Sequence, residues 1–536
     1  MTDTLSGSRK KASPDRRNAQ GRRAGAGHLP LRPETMHGFS PRLSHGELPL
    51  ASRYKRLGEP YHVQVPATAL PEPRLVHFNA SLALELGLDA SEAGSPELLE
   101  ILAGNRPWPK YASLASVYAG HQFGVWVPQL GDGRALLIAE VRTPAGARME
   151  LQLKGSGPTP YSRGFDGRAV LRSSIREYLC SEAMHALGVP TTRCLSLVAS
   201  PEPVYRETAE TAAVVCRVAP SFVRFGQFEF FYRNGQHRHL APLADHVIGE
   251  HFPHLKDRPD RYAAWLGEVI ERTARLIAQW QTFGFCHGVM NTDNFSVLGL
   301  TLDYGPFGFM DAFRQYHVAN HSDFDGRYAY YAQPGIGQWN CSRLLRASLP
   351  LLSDREPEAS EIATGIFESY IPVYTQAIMR RWASKLGFYE VREGDADLIN
   401  RFLGLLQRGK SDFTRSFRHL SSVRADSDEP ADGARDEIAD REAYDAWIAD
   451  YRARLRAERN TDDEARASRM NRVNPKYVLR NHLAQAAIEK AEAGDDSEVA
   501  RLMRLLARPY DEQPEMDAYA AAPSEELRHI EVGCSS

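Results

Sequence analysis

The sequence has few cysteines, no long apolar run and no excess of either charge. Six cysteines in 536 residues, none in a C-x-x-C pair, exclude a disulfide framework. No stretch approaches the roughly 18 apolar residues of a membrane helix. The balance of 65 basic and 68 acidic residues excludes a dedicated nucleic-acid binder. We therefore expect a cytoplasmic monomer that binds neither membrane nor nucleic acid.

The N-terminal segment is the one strongly biased part of the chain. Its first 50 residues carry nine Lys and Arg against four acids, and are rich in Ser, Gly and Pro. Such a segment buries too little apolar surface to offset its ordering entropy, which predicts a disordered basic tail over residues 1–45. The alternative is a mitochondrial transit peptide, which is also Arg-rich and acid-poor.

Short strands with turn punctuation dominate residues 111–220. A helix predicted over 168–187 follows the third strand, and Gly188 with Pro190 supplies its stop. The result is a five-stranded sheet with one inserted helix. The predicted strands are 123–130, 135–141, 149–154, 194–199 and 213–219.

Beyond Arg258 the apolar period is 3.6 almost throughout. One exception is a hairpin predicted over 295–302, and an acidic stretch, 424–440, predicts a mobile loop. A small β-rich lobe before a larger helical lobe predicts an α+β, protein-kinase-like bilobal fold with a helical C-terminal extension. The predicted helices include 265–280, 360–386, 395–408, 441–457, 476–493 and 497–507.

The β-rich region supplies a lysine and a glutamate at a meaningful spacing. Lys154 ends the third predicted strand, and Glu177 lies 23 residues later in the inserted helix. A kinase-type site uses such a pair to hold nucleotide phosphates. Alone, a lysine at a strand end is more often a solvated edge residue, but together with Glu177 and the nearby glycines the functional interpretation is favoured.

The helical region supplies a loop that resembles a kinase catalytic loop. His287 and Asn294 keep the spacing of H-R-D-L-x-x-x-N, and Asp303-Tyr-Gly stands where D-F-G binds metal. Val289 occupies the position of the kinase catalytic base, and a valine accepts no proton. Hydroxyl phosphorylation by that route is therefore disabled.

Asp293 gives the same loop a different carboxylate. If Asn294 and Asp303 bind Mg²⁺ or Mn²⁺ through oxygen ligands, Asp293 is placed to act as the base or to bind a second metal ion. The alternative is that Asn291, Asp293 and Asn294 are turn residues that hydrogen-bond their own backbone. That alternative does not explain the whole pattern of His, Asn and Asp-Tyr-Gly.

Further residues are candidates for binding phosphate groups. A G-x-G turn alone is a weak signal, and here it is followed by an arginine. An Asp-Gly pair stands at the entrance to the predicted helix, whose N-terminus favours anions. Two more arginines, at the end of the fifth strand and just past it, are suited to bidentate hydrogen bonds with phosphate oxygens. These candidates are Gly131, Gly133, Arg134, Asp166, Gly167, Arg217 and Arg224.

Five blocks of sequence together resemble the selenoprotein O (SelO/YdiU) family. The resemblance runs from about residue 45 to the C-terminus, and the blocks are long and specific. They are YAGHQFG (118–124), PQLGDGR (128–134), LKGSGPTPYSRGFDGR (153–168), HGVMNTDN (287–294) and NPKYVLR (474–480).

The resemblance implies an active pseudokinase-fold protein adenylyltransferase. Such proteins bind ATP in a flipped orientation and transfer AMP, or UMP from UTP, to Ser, Thr or Tyr hydroxyls of protein substrates, with Mg²⁺ or Mn²⁺ and release of diphosphate. It implies Asp293 as proton acceptor, Asn294 and Asp303 as metal ligands, and Lys154 paired with Glu177. The implied nucleotide contacts are Gly131, Gly133, Arg134, Lys154, Asp166, Gly167, Arg217, Arg224 and Asp303.

The resemblance also gives the predicted units their roles. Residues 46–225 form an N-lobe with the nucleotide-binding elements, 226–425 a helical C-lobe with the catalytic loop and metal site, and 426–536 a helical extension with a cysteine-containing tail. Cys534 is implied to be a redox residue, but residues 304–340 hold no cysteine partner for it, and Cys286 and Cys341 are the nearest alternatives in sequence. Two other functions stay open, a γ-phosphoryl kinase and an inactive nucleotide-binding scaffold.

Overall fold

A computed structural model describes residues 44–45, 47–48, 53–427, 432–458, 462–530 and 532–533. The predicted disordered tail lies outside these residues, apart from its last two positions, and so does Cys534. The predicted mobile loop lies partly outside them, and its described part contains a short helix at Asp432–Asp436. The division into three further units stays a prediction.

Twelve strands occur in the described residues. Eight of them form one antiparallel sheet in the order β1-β3-β6-β7-β10-β9-β2, with β8 paired to β10. The pairs β4-β5 and β11-β12 form two small separate ladders. The strands are β1 His62–Gln64, β2 Arg74–Phe78, β3 Leu114–Ser116, β4 Gly120–Gln122, β5 Val125–Val127, β6 Ala135–Arg142, β7 Arg148–Lys154, β8 Ala169–Val170, β9 Arg193–Tyr205, β10 Ala209–Ala219, β11 Phe285–Cys286 and β12 Gly308–Phe309.

Seventeen α-helices occur in the same described residues, together with short 3₁₀ turns. The α-helices are α1 Ala80–Leu86, α2 Pro96–Leu102, α3 Leu171–Ala186, α4 Phe225–Arg233, α5 Leu240–His251, α6 Arg261–Phe283, α7 Gln333–Ala347, α8 Leu349–Leu352, α9 Glu356–Glu368, α10 Tyr370–Lys385, α11 Asp395–Gly409, α12 Phe413–His419, α13 Asp432–Asp436, α14 Arg441–Arg456, α15 Asp463–Asn471, α16 Asn481–Glu492 and α17 Ser497–Leu506. This content confirms the predicted α+β class. None of these helices has the length and apolarity that crossing a membrane requires.

The sheet differs from the predicted one at its start. The predicted strand 123–130 is reduced to β5, which pairs with β4 and stays outside the main sheet. The neighbour of β6 on that side is β3 instead. The reason is a long-range contact: the Phe123 amide donates to the Asn291 side chain at 3.1 Å, so the β4-β5 hairpin is held against loop 287–294. The prediction of five strands was therefore wrong.

The predicted hairpin over 295–302 is also absent from the described structure. Its turn exists, because the Gly299 amide donates to Ser296 O, but its arms do not pair with each other. Ser296 bridges to Arg224 and Thr301 bridges to Thr191. Backbone groups in this loop thus find partners in other elements, which no local pattern reveals.

Two apolar cores organise the described chain. The larger core joins the sheet, α3 and the long helix α6, whose Trp265 is fully buried. The smaller core lies among helices α10 to α15. Cys180, Cys216, Cys286 and Cys341 are all buried and free. The predicted helices are confirmed, although the 360–386 pattern is two consecutive helices, α9 and α10, and the 476–493 pattern becomes helical only at Asn481. Nine helices of the described residues were not predicted: α1, α2, α4, α5, α7, α8, α12, α13 and α15.

The residue after Lys154 provides a test of this packing. Gly155 has φ 98°, and a Cβ there would overlap the carbonyl oxygen of Ala213 in β10. We expect Gly155→Ala to lower the free energy of unfolding by about 2 to 5 kcal/mol through backbone strain and crowding. Gly146→Ala is the matched control, because Gly146 has φ 84° but open space around it, and should lose only about 1 to 2 kcal/mol. Urea unfolding measures both losses of unfolding free energy. Equal losses for the two variants would show that Gly155 is not in tight contact with the Ala213 carbonyl oxygen.

Candidate nucleotide-binding cleft

The predicted site residues converge on one cleft of about 750 Å³, which the central strands β6, β7 and β10 help to line. Glu177 lies behind Lys154, beneath the surface of the cleft. The other predicted residues all line it: Gly131, Gly133, Arg134, Lys154, Asp166, Gly167, Arg217, Arg224, Asp293, Asn294 and Asp303.

A continuous chain of ion pairs crosses the floor of the cleft. Lys154 Nζ lies 2.6 Å from one oxygen of Glu177, and Arg217 Nε lies 2.5 Å from the other. Arg217 also pairs with Asp303 at 2.6 Å, and Arg224 pairs with the second oxygen of Asp303 at 2.5 Å. Asp303 alone keeps an appreciable exposed fraction, 22% of its side chain. This chain of ion pairs therefore presents one carboxylate and three cations to the cleft.

Three elements bring these groups together. Antiparallel pairing of β7 with β10 sets Lys154 opposite Val215 and Gln152 opposite Arg217. Helix α3 carries Glu177, and its apolar period and the Gly188 stop follow the sequence prediction. Asp303 has φ 58°, a left-handed conformation that is uncommon outside glycine. Positions with such strained backbones concentrate at functional sites.

Burial and neighbouring charges shift the pKa values of the side chains that form these ion pairs. Burial lowers the pKa of Lys154 to about 8, although Glu177 opposes the shift. Burial also raises the pKa of the Asp303 carboxyl, but Arg217 and Arg224 outweigh it and hold that pKa well below its usual range. Asp303 is therefore ionised at every physiological pH, as a cation ligand must be.

Asp293 lies beside this chain in a different state. It sits in a 3₁₀ turn, Thr292–Asn294, where its backbone oxygen accepts from Arg224 at 3.0 Å. Its side chain is buried, and the Oδ1 atom has no hydrogen-bond partner. Burial raises the pKa of Asp293 to about 7, against the opposing charge of Arg224. Two carboxylates in one cleft thus have pKa values pushed far apart, a pattern typical of acid–base sites.

The alternative that these polar residues serve only the local turn fails for Asn291. Asn291 Oδ1 accepts from the distant Phe123 amide and from Tyr328 Oη at 2.6 Å. Asp293 Oδ1 accepts nothing. Asn294 makes a bond within the loop, donating from Nδ2 to Val289 O at 3.0 Å, and the Asp293 carboxylate also hydrogen-bonds its own backbone.

Asn294 and Asp303 have the donor chemistry of a Mg²⁺ or Mn²⁺ site. Both line the cleft, and each offers oxygen to a hard cation. No group of three or more His, Cys, Asp or Glu side chains suited to a metal ion occurs among the described residues. These two residues therefore fit a cation whose remaining ligands come from nucleotide phosphates and water, as is usual for Mg²⁺.

The Asp166-Gly167 pair does not occupy its predicted place. Helix α3 begins at Leu171, so the pair lies before β8 and not at a helix N-terminus. Asp166 is exposed at the rim, where Arg206 binds it at 2.7 and 2.9 Å. Gly167 packs against the backbone of Gly157. The two residues therefore form the outer wall of the cleft and take no part in the chain of ion pairs.

Sequence reasoning missed several cleft residues, although some stood in the quoted blocks. The Arg224 guanidinium lies 4.7 Å from the ring centre of Tyr118. Gly120 packs directly on Asp293, and the His121 amide donates to Thr292 Oγ1 at 2.7 Å. The unexplained block YAGHQFG was the available signal: it forms β4 and the turn of the β4-β5 hairpin that covers Asp293. Arg206 carried no signal.

The relationship to known proteins agrees with this geometry. A family model described as protein adenylyltransferase SelO matches residues 45–507. The chain belongs to the SelO family. This confirms the resemblance inferred from the five sequence blocks, all of which lie inside the matched range.

Relatives of the SelO family cover nearly the whole chain. A relative from Methylococcus capsulatus is 73% identical over 498 residues, 93% of this chain and 98% of the relative. Relatives from Burkholderia multivorans and Thioalkalivibrio sulfidiphilus are 53% and 52% identical, over 90% and 91% of this chain and 95% and 99% of their own lengths. Each is called protein nucleotidyltransferase YdiU.

The raised pKa of Asp293 has a measurable effect on stability. Folding disfavours its ionised form, so the folded state loses stability as pH rises from about 4 to about 7. Asp293→Asn should remove this loss. In metal-free buffer, we expect the variant's advantage in unfolding free energy to grow between pH 4 and pH 8, by at most about 4 kcal/mol.

Asp166→Asn is the control of opposite sign. Arg206 lowers the pKa of Asp166, so that variant should lose stability at neutral pH relative to acid pH. Urea unfolding at several pH values measures both. A pH-independent difference for Asp293→Asn would contradict the raised pKa.

Proposed function

We propose that this SelO-family enzyme transfers AMP from ATP to Ser, Thr or Tyr hydroxyls of protein substrates. UMP transfer from UTP is the alternative within the same chemistry. The family description, protein adenylyltransferase, and the relatives' name, protein nucleotidyltransferase, support this activity. The observation that carries the proposal is the buried Oδ1 of Asp293, which has no hydrogen-bond partner and lies in the same loop as Val289, the residue at the kinase-type base position.

Asp293 accepts the proton of the acceptor hydroxyl in this proposal. The hydroxyl oxygen attacks the α-phosphorus, and the bond from that phosphorus to the bridging oxygen of the diphosphate breaks. The acceptor thus gains AMP, diphosphate leaves, and the proton resides on Asp293 Oδ1. A pKa of about 7 suits a general base that works near neutral pH.

The cations of the cleft stabilise the leaving group. Lys154, Arg217 and Arg224 are positioned by carboxylates and line the cleft, as Arg134 does. Bidentate arginines match phosphate oxygens, so we assign Arg217 and Arg224 to the β- and γ-phosphates. Asn294 and Asp303 would hold a divalent cation, which would supply charge neutralisation for the diphosphate.

The remaining parts of the proposal concern the architecture. We propose a kinase-like bilobal arrangement, supported by Lys154 on β7, Glu177 on α3, and a loop between β11 and β12 that carries Asp293 and Asp303. Five free buried cysteines favour a reducing compartment, so we propose the cytoplasm. A monomeric state stays a prediction.

The position of a radioactive label distinguishes this activity from its alternatives. The protein is incubated with a bacterial lysate, Mg²⁺ or Mn²⁺, and ATP labelled at either the α- or the γ-phosphate. Label transferred to protein from the α-position alone is the expected result, because the diphosphate leaves. Transfer from the γ-position alone would establish a kinase, and transfer from neither would leave a nucleotide-binding scaffold. Asp303→Ala is the control and should abolish transfer, since it removes the metal ligand.

A further inference from the structure

Helix α3 is buried on nearly all sides, and its Glu177 is the central carboxylate of the cleft. A helix that is apolar or buried all round needs cover on more than one face. Strands β9 and β10 cover one face, and helices α16 and α17 pack on another. The second cover comes from the C-terminal block, which we define as residues 474–510.

The C-terminal block contacts α3 through one charged residue next to Glu177. Arg176 is 4% exposed, and its Nη2 donates to the Asn481 side chain at 3.3 Å. The same nitrogen donates to Phe307 O at 2.6 Å, and the guanidinium lies 4.5 Å from the Phe307 ring centre. Arg176 therefore links the block to α3 and to the segment that follows Asp303.

Neighbouring contacts anchor the block on both sides of this link. Arg480 is 1% exposed and pairs with Asp412 at 2.9 Å and with Asp311, eight residues past Asp303. At the far end of α3, Tyr510 donates from its hydroxyl to Leu187 O at 3.0 Å. The block thus contacts α3 at Arg176 and just past its C-terminal end, and Arg480 and Asn481 contact the metal-site segment and α3 from adjacent positions.

We propose that the C-terminal block is a built-in positioning element for the cleft, with Asn481 holding α3 through Arg176 so that Glu177 stays paired with Lys154 and Arg217. The inference rests on the proposed function only in assigning the Lys154–Glu177 pair to nucleotide binding. Arg176, Arg480 and Asn481 are positioning residues, since none of them lines the cleft. This gives the block NPKYVLR, which ends at Arg480, a role in the site.

Three variants at the start of α16 test the proposal. Asn481→Ala removes the acceptor of the Arg176 bond, and Asn481→Asp keeps an acceptor that favours both Arg176 and the helix N-terminus. Gln485→Ala is the matched control, one turn later, where the side chain bonds Glu489 of the same helix. The measurements are the dissociation constant of ATP with Mg²⁺ and hydrogen exchange of the α3 amides in the ligand-free protein.

We expect Asn481→Ala to weaken ATP binding about fivefold to tenfold, the effect of losing one hydrogen bond of ordinary strength. It should also speed amide exchange around residue 177. Asn481→Asp should restore both within about twofold, and Gln485→Ala should change neither. In a Glu177→Gln background, Asn481→Ala should weaken binding less than twofold further, because coupled residues are not additive.

Other results would overturn the proposal. These are unchanged exchange in α3 for Asn481→Ala, an equal effect of Gln485→Ala, or full additivity with Glu177→Gln. If the wild-type protein binds ATP but labels no protein, the proposed function fails. The ATP-binding measurements on Asn481→Ala, with and without Glu177→Gln, still decide the inference. If it binds no ATP, the exchange of α3 in the Asn481 variants decides it alone.

Discussion

The carboxylate of Glu177 is buried between Lys154 and Arg217, and the arrangement of the cleft depends on it. It neutralises two cations that would otherwise be buried beside each other, which would cost several kcal/mol per unpaired charge. Arg217 in turn reaches Asp303, and Asp303 holds Arg224. One helical residue thus fixes the positions of side chains from β7, β10, the start of α4 and the segment after β11.

The same chain of charges separates the roles of two neighbouring carboxylates. Asp303 faces two arginines, which keep it ionised and suited to a cation. Asp293 is ten residues earlier in sequence, and in the cleft it is covered by the β4-β5 hairpin and lacks a partner at Oδ1. Burial therefore raises its pKa to about 7. Environment, and not residue type, assigns one acid to metal binding and the other to proton transfer in our proposal.

Much of the site was predictable because its signals are local. Lys154 and Glu177 form an ion pair in the structure, as their spacing predicted. The strand and helix periods fix which side chains of these two elements face each other. The signals failed where distant contacts decide the backbone. The pattern around Phe123 predicts a strand of the main sheet, but the hydrogen bond to Asn291 holds this segment in a separate hairpin. The pattern predicts that Asp166 lies at the N-terminus of a helix, but strand β8 lies between Asp166 and α3. Neither interaction leaves a periodic trace in the sequence.

The pH dependence of transfer tests the central claim most directly. The claim is that Asp293 is the base and that the paired Asp303 is not. The ratio kcat/KM for adenylyl transfer should rise with pH through about 7 with the slope of one proton, because it reports the free enzyme. Asp293→Asn should retain ATP binding within about threefold, lose about 10² to 10⁴ in rate, and lose this pH dependence. An unchanged pH profile in Asp293→Asn, or full activity at pH 5, would contradict the account.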